Sequence, residues 1–130
     1  MSMLKVRVQV FLLLFYIDYL LDKKGLKETC EWIKTKKRKV TQDSVKPEEL
    51  YKICEIIQTA CNKHFLKDKA LCLHQSLVGY YILSKNGYNV NMCVGASKVN
   101  FTAHAWIEFQ ERVINDTPDV KEAHNVLFSI

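Results

Sequence analysis

The sequence predicts an α+β protein, because helical spacing of apolar residues over most of the chain gives way to strict alternation towards its end. Residues 71–87 are apolar on almost every side at about 3.6 residues per turn, which is typical of a buried helix. Residues 88–95 and 101–110 then alternate between apolar and polar side chains, as half-buried strands do. We therefore expect helices first, then a central buried helix at 71–87 and a sheet after it.

Length and composition restrict the class of protein. The chain has 130 residues, 48% of them hydrophobic, which is enough for one core and too little for two. We therefore expect a single domain over residues 1–130, with a helical portion at 1–64 and the central helix and sheet at 65–130. Five cysteines at irregular spacings, with no secretory signal before them, predict free thiols in the cytoplasm. The net charge of +5 is too diffuse to indicate a nucleic-acid partner.

Two helices separated by a glycine are predicted at the amino terminus. The first covers residues 4–22, Gly25 breaks it, and the second covers 26–34. Val10–Ile17 is an unbroken apolar run of eight residues, far short of the ~20 that a membrane span needs. We favour a helix packed on the core over the alternative, an interfacial membrane helix.

A basic run at 34–39, KTKKRK, lies between the second helix and the third. It predicts a solvated loop, with a surface for an acidic peptide as the alternative. The interleaved aromatic residues of a single-stranded nucleic-acid groove are absent from it. Pro47 then opens the third helix, whose apolar face includes Cys54 and Cys61 as expected core residues.

Four residues invite a zinc interpretation, namely Cys61, His64, Cys72 and His74. Their spacings do not match the paired ligands of known zinc modules. We therefore expect neither a metal nor another cofactor in this protein.

Three side chains on successive predicted elements suit nucleophilic catalysis. Cys72 lies in the first turn of the central helix, where the helix dipole favours a thiolate. His104 lies on the strand 101–110, and Asp116 ends a predicted strand at 112–116. A thiolate attacks an amide carbonyl, an imidazole takes and returns the proton, and a carboxylate orients the imidazole. A small buried hydrophobe for Cys72 and a purely structural histidine for His104 are the alternatives.

The same residues carry a resemblance to a known family, the transglutaminase-like leader peptidases of lasso-peptide biosynthesis. The matching segments within residues 65–116 are Leu71-Cys72-Leu73, Val94-Gly95-Ala96, Ala103–Glu108 and Arg112–Asp116. The resemblance implies Cys72 as nucleophile, His104 as general base and Asp116 as orienting acid. It also implies a papain-like α+β fold, with the nucleophile-bearing central helix packed on a small antiparallel sheet.

In that family the enzyme cuts the leader from a ribosomally made precursor peptide and so frees the amine of the core. A separate ATP-using cyclase, similar to asparagine synthetase, then closes the macrolactam. Because residues 1–64 are predicted to be helical, with no strand-rich leader-binding module, the resemblance implies a stand-alone form and a separate leader-recognition protein. The alternatives are another transglutaminase-like amidase or acyl transferase, and a non-catalytic peptide-binding module.

The turn between the last two predicted strands, Gln110-Glu111, lacks the Gly or Asn of a type I′ hairpin. A two-residue loop there would set Asp116 across from Ala105, on the face opposite His104. We therefore expect a longer turn or a bulge, and an Asp116 oxygen within about 3.2 Å of a His104 ring nitrogen.

The donors of an oxyanion hole are only partly predicted. The backbone N–H of Cys72 is a natural first donor. Asn62, His64 and Gln75 are candidates for the second. His74 has two possible roles, crowding the thiolate or binding substrate.

Overall fold

The computed structural model of the protein describes residues 2–41, 45–68, 71–100 and 102–130. Its elements are α1 (Met3–Lys36), α2 (Pro47–Asn62), α3 (Cys72–Lys85), β1 (Val90–Ser97), β2 (Ala103–Phe109), β3 (Arg112–Val113), α4 (Val120–Ala123) and β4 (His124–Ser129). The strands form one antiparallel sheet in the order β3-β2-β1-β4. Since α3 packs on β1 and β2, and α1 and α2 pack around α3, the predicted α+β class is confirmed.

The first helix is broken where the sequence predicts. Gly25 has φ 85° and ψ 175°, and its carbonyl accepts a hydrogen bond of 2.8 Å from Thr29 Oγ1 in the next turn. On the amino-terminal side, buried residues recur every three or four positions: Val6, Val10, Leu14, Ile17 and Leu20. This stripe confirms that α1 packs on the core. No helix in the described parts of the chain is both long and apolar enough to cross a membrane.

The basic run is exposed along its whole length, as predicted for a solvated segment. Its first residues end α1, and the main chain beyond them is tied to the end of α3. Arg38 N donates to the Ser84 carbonyl at 3.2 Å, and Thr41 N donates to the Gly87 carbonyl at 2.9 Å. The run therefore covers the carboxyl end of α3 while its charges face solvent.

Helix α2 begins at Pro47, as the sequence predicts, and Glu48 and Glu49 occupy its first turn, where acidic residues complement the helix dipole. Its buried face consists of Leu50, Cys54, Ile57 and Cys61. The prediction that Cys54 and Cys61 are core residues is confirmed.

Helix α3 is the centre of the fold. Every residue from Ser76 to Ser84 is buried, as its apolar circumference predicts. A Cβ atom at Gly79 would lie 2.6 Å from Ile107 Cδ1, so the end of the Ile107 side chain occupies the space that a side chain at residue 79 would take. This contact packs the middle of α3 against β2.

The sheet differs from the predicted one at its carboxyl-terminal strands. Strand β3 covers only residues 112–113, whereas the alternation predicted a strand over 112–116. The final segment, residues 120–130, has no clear apolar periodicity in the sequence. It forms α4 and then β4, which pairs with β1. A second apolar cluster lies beneath α4 and consists of Cys93, Trp106, Val113 and Val120.

The hairpin between β2 and β3 corrects the turn prediction. Phe109 pairs with Arg112, so Gln110 and Glu111 form a two-residue loop. Both adopt left-handed conformations, with φ 51° and φ 65°, which is the type I′ turn. The expected longer turn or bulge is therefore wrong. The cost of a left-handed residue, about 1–2 kcal/mol each, is small beside the burial of Phe109, Val113 and Ile114 on either side of the turn.

This turn generates a stability prediction. Replacing Glu111 by Gly should raise the free energy of unfolding by about 0.5–1 kcal/mol, because glycine adopts positive φ without a steric penalty. Urea denaturation measures the change. The matched control is Glu111→Ala, which removes the same carboxylate and keeps the penalty. Equal stabilisation by both variants would show that the side chain, and not the backbone conformation, is responsible.

Candidate active site

His104 and Asp116 form a close pair at the surface of the sheet. His104 Nε2 lies 2.6 Å from Asp116 Oδ2, and the side chains are 27% and 31% exposed. Asp116 Oδ1 accepts a further hydrogen bond of 2.7 Å from Thr117 N, which holds the carboxylate in one orientation. The predicted distance is confirmed, although the predicted turn is not. Because the carboxylate takes Nε2, the ring nitrogen that faces away from it is Nδ1.

Asp116 reaches His104 because the chain leaves the sheet before it. Continued pairing after Arg112 would set Asp116 opposite Ala105, on the wrong face. The ladder ends instead at Ile114, whose N–H donates to the Ile107 carbonyl at 2.9 Å. Residues 114–116 form a bend, which carries Asp116 to the face of His104.

Two aromatic rings restrict the His104 imidazole. The His124 ring stacks on it with centroids 5.3 Å apart, and the Trp106 ring with centroids 6.3 Å apart. His124 is itself oriented by an Nδ1–H bond of 2.7 Å to the Val120 carbonyl. A Cβ atom at Gly95 would lie 2.8 Å from the Asn125 carbonyl oxygen, 3.0 Å from Trp106 Cη2 and 3.2 Å from His124 Cβ. The absence of a side chain at residue 95 therefore leaves the space in which these rings meet.

A buried carboxylate holds Trp106. Glu108 Oε2 accepts from Trp106 Nε1 at 2.8 Å and from Cys93 Sγ at 3.4 Å, while Oε1 accepts from Lys121 Nζ at 3.2 Å. Burial acts to raise the pKa of Glu108, but the hydrogen bonds from Trp106, Lys121 and Cys93 outweigh it and lower the pKa. Glu108 is thus a charged anchor for the ring beside His104.

Cys72 differs from every other cysteine of the chain. Of the five, all of which the structure describes, only Cys72 is partly exposed. Burial raises the pKa of the Cys54 thiol to about 12 and that of Cys61 to about 11. Burial, followed by the charge of Glu108, raises the pKa of Cys93 to about 12, and burial also raises that of Cys30. Cys72, the first residue of α3, is therefore the accessible thiol, which favours a nucleophile over a buried hydrophobe.

A side-chain bridge connects α3 to the histidine–aspartate pair. Asn115, which precedes Asp116, donates from Nδ2 to Ser76 Oγ at 3.0 Å. Ser76 lies one helical turn after Cys72, about 6 Å along the axis. The structure thus brings His104 and Asp116 into direct contact and places Cys72 on the helical turn next to their anchor. Sequence patterns assign no role to Asn115, although it lies inside the Arg112–Asp116 motif, and none to His124, which lies in a segment without clear periodicity.

Two other histidines near the site have structural partners. His74 Nε2 bonds Asp18 Oδ1 at 3.0 Å, which ties the first turn of α3 to α1. His64 Nε2 donates to the Phe11 carbonyl at 3.0 Å, and its Nδ1 accepts from Leu66 N at 3.0 Å. Both ring nitrogens of His64 are engaged, so the expectation of His64 as an oxyanion donor is wrong.

The other oxyanion-hole candidates differ in position. Gln75 is half-buried and borders a small cavity between α2, α3 and β2, whereas Asn62 is exposed. Either as the second donor stays a prediction.

The four residues of the zinc interpretation, Cys61, His64, Cys72 and His74, are not arranged as metal ligands. In the described ranges of the chain, no group of three or more His, Cys, Asp or Glu side chains is arranged to hold a metal ion. Cys61 is buried in α2. The rings of His64 and His74 are bonded to two different residues of α1, Phe11 and Asp18. The four residues therefore do not form one site.

Comparisons with known proteins cover nearly the whole chain. The family model of the transglutaminase-like superfamily matches residues 13–129. Microcin J25-processing protein McjB of Escherichia coli is 27% identical over 124 residues, which are 95% of this chain and 58% of that relative. The chain thus spans less than two thirds of the length of this curated relative. No solved structure matches the chain.

The exposure of the cysteines predicts selective alkylation. Iodoacetamide at pH 8 should label Cys72 faster than the four buried thiols, because burial restricts access to them and raises their pKa. For Cys54 and Cys93, a pKa of about 12 leaves about one thiolate in 10⁴ at that pH. Peptide mapping of the native protein measures the order. In urea the preference should disappear, because all five thiols are then exposed. Equal labelling in the native protein would contradict the assignment of Cys72 as the accessible thiol.

Proposed function

Because the chain belongs to the transglutaminase-like superfamily, we propose that it is a cysteine peptidase of lasso-peptide maturation that removes the leader from a precursor peptide. The observation that carries the proposal is the 2.6 Å contact of His104 with Asp116, held beside the helix that begins with the accessible thiol of Cys72. The relative's name, a microcin J25-processing protein, supports a processing role.

The proposed first step is attack by Cys72 on the carbonyl carbon of the bond between leader and core. His104 takes the thiol proton at Nδ1, since Nε2 faces Asp116. The backbone N–H of Cys72, the first residue of α3, would donate to the oxyanion of the tetrahedral intermediate. The intermediate collapses to a thioester of the leader as the C–N bond breaks. His104 then gives its proton to the leaving nitrogen, and the core gains a free amino terminus.

The second step is hydrolysis of the thioester. His104 takes a proton from water, whose oxygen attacks the thioester carbonyl and releases the leader as a carboxylic acid. Cys72 recovers its proton through the same imidazole. Asp116 keeps its charge throughout, accepts the Nε2–H bond and stabilises the imidazolium that forms in each step.

Another transglutaminase-like amidase or acyl transferase is the second candidate, because the family model that matches is that of the transglutaminase-like superfamily. All three enzymes would form a thioester with Cys72. The peptidase and the amidase pass the acyl group to water, whereas the transferase passes it to an amine. Water yields a leader with a free carboxylate, whereas an amine yields an amide. The mass of the released leader therefore separates a hydrolase from an acyl transferase, and cleavage of the peptide bond between leader and core separates the peptidase from an amidase.

The proposal includes two protein partners and a compartment. A separate leader-recognition protein would deliver the precursor, since α1 and α2 occupy most of residues 3–62 as helices that pack on the core. An ATP-dependent macrolactam cyclase would consume the freed amine. Five free thiols suit a reducing cytoplasm.

Replacing Cys72 by Ala should lower leader cleavage by at least about 10³-fold, because the covalent route is lost. Mass spectrometry of a candidate precursor, incubated with the protein and its recognition partner, measures both the rate and the product mass. The matched control is Cys54→Ala, which removes a buried thiol of α2 and should retain cleavage. Cleavage by Cys72→Ala near the wild-type rate would contradict the proposed function.

The recognition partner is tested by omission. We expect the isolated chain to cut free precursor at least about tenfold more slowly than the assembled system, because tethering raises the local substrate concentration to about the millimolar range. The measurement is the initial cleavage rate at micromolar precursor, with and without the partner. A scrambled-leader precursor controls for recognition. Equal rates without the partner would rule out this dependence.

A further inference from the structure

We propose that Asn115 is a positioning residue whose side-chain amide holds Asp116 against His104 and ties both to the helix that carries Cys72. The proposal rests on the function proposed above. The chemistry of the three candidate catalytic groups assigns no role to this residue. The role proposed for Asn115 follows from the way in which the hairpin ends.

The amide group of Asn115 uses both of its ends. Oδ1 accepts a hydrogen bond of 2.7 Å from Ile107 N, and Nδ2 donates one of 3.0 Å to Ser76 Oγ. Ile107 lies three residues after His104 on β2, and Ser76 lies four residues after Cys72 on α3. One planar group therefore connects the strand of the proposed base with the helix of the proposed nucleophile.

The bond to Ile107 replaces a rung of the sheet. In a regular antiparallel ladder, Ile107 N would donate to the carbonyl of Ile114, directly opposite it. Here the Asn115 side chain takes that donor, while Ile114 N still donates to the Ile107 carbonyl at 2.9 Å. The ladder ends without a buried N–H left unpaired, and the main chain is free to turn.

The replacement of this backbone hydrogen bond by the Asn115 side chain explains how a two-residue hairpin still brings Asp116 to His104. With the observed two-residue loop, continued pairing would put Asp116 on the face opposite His104. The exit from the ladder at Asn115 removes that constraint on the next residue. Asp116 then reaches Nε2 of His104 at 2.6 Å.

The hydrogen bond to Ser76 fixes the position of the Asn115 side chain relative to α3. Ser76 is fully buried, so its hydroxyl offers a defined acceptor on the inner face of α3. An aliphatic side chain at residue 115 would leave both the Ile107 N–H and the Ser76 hydroxyl without these partners. Only a short side chain with an acceptor and a donor on one plane serves both contacts.

The first test is kinetic. Asn115→Ala should lower kcat for leader cleavage about 10- to 100-fold and leave KM within about twofold, because it displaces the base and not the peptide. Ser76→Ala, which removes one hydrogen bond, should lower kcat about fivefold. The matched control is Ser84→Ala on the same helix. Its buried hydroxyl bonds only carbonyls of α3, so kcat should not change.

A double-mutant cycle separates positioning from general stability. If Asn115 acts through Asp116, adding Asn115→Ala to Asp116→Ala should change kcat by less than about twofold. If Asn115→Ala lowered kcat only by destabilising the fold, it would lower kcat by the same factor in the wild type and in Asp116→Ala. Multiplicative effects in the double variant would overturn the proposal.

A readout without substrate keeps the test independent of the proposed function. Ring ¹⁵N NMR at a pH where the imidazoles are neutral should show the proton of His104 on Nε2 in the wild type. The His104 signals of Asn115→Ala should move towards those of Asp116→Ala, while His124, bonded through Nδ1 to the Val120 carbonyl, should stay unchanged.

Wild-type His104 signals in folded Asn115→Ala would overturn the proposal. If that variant does not fold, the same spectra of Ser76→Ala decide, with an intermediate shift expected and an unchanged spectrum contradicting it. The His104 signals could change with these substitutions as expected while the wild-type protein cuts no precursor. That result would refute the peptidase function and retain the positioning role.

Discussion

The close packing of α3 on β2 is the constraint on which the rest of the structure depends. Burial of Ser76–Ser84 on all sides supplies the apolar contact area, and Gly79 allows Ile107 to approach within the space of a missing methyl group. A helix held this tightly cannot slide along the sheet without opening voids, because protein interiors are packed near crystal density. Its first residue, Cys72, therefore has a defined position relative to the strand that carries His104.

Around that contact, the candidate site is built from the places where regular structure stops. Cys72 is where α3 begins, and Asp116 follows the point at which β3 ends. Backbone groups released at such ends need other partners. The Asn115 amide supplies one of them to Ile107, and the space above Gly95 admits the rings that flank His104. The geometry of the pair is therefore a consequence of interrupted pairing, held by side-chain hydrogen bonds.

The cysteines show how the same residue type is divided between packing and chemistry. Four thiols lie in the core or beneath α4, where burial raises the pKa and suppresses thiolate formation. One thiol lies at a helix start with access to solvent. This division leaves a single accessible thiol for the chemistry proposed for this member of the transglutaminase-like superfamily.

The sequence by itself determined α1, α2 and α3, the break at Gly25, the core cysteines of α2 and the central position of α3, because these follow from local spacing and burial. It also singled out His104 and Asp116, whose contact the structure contains. Only the tertiary structure decided the type I′ turn at Gln110-Glu111, the pairing of β4 with β1 and the ladder exit at Asn115. Each of these depends on partners distant in the chain, whose packing outweighs local propensity, so no pattern within one segment encodes it.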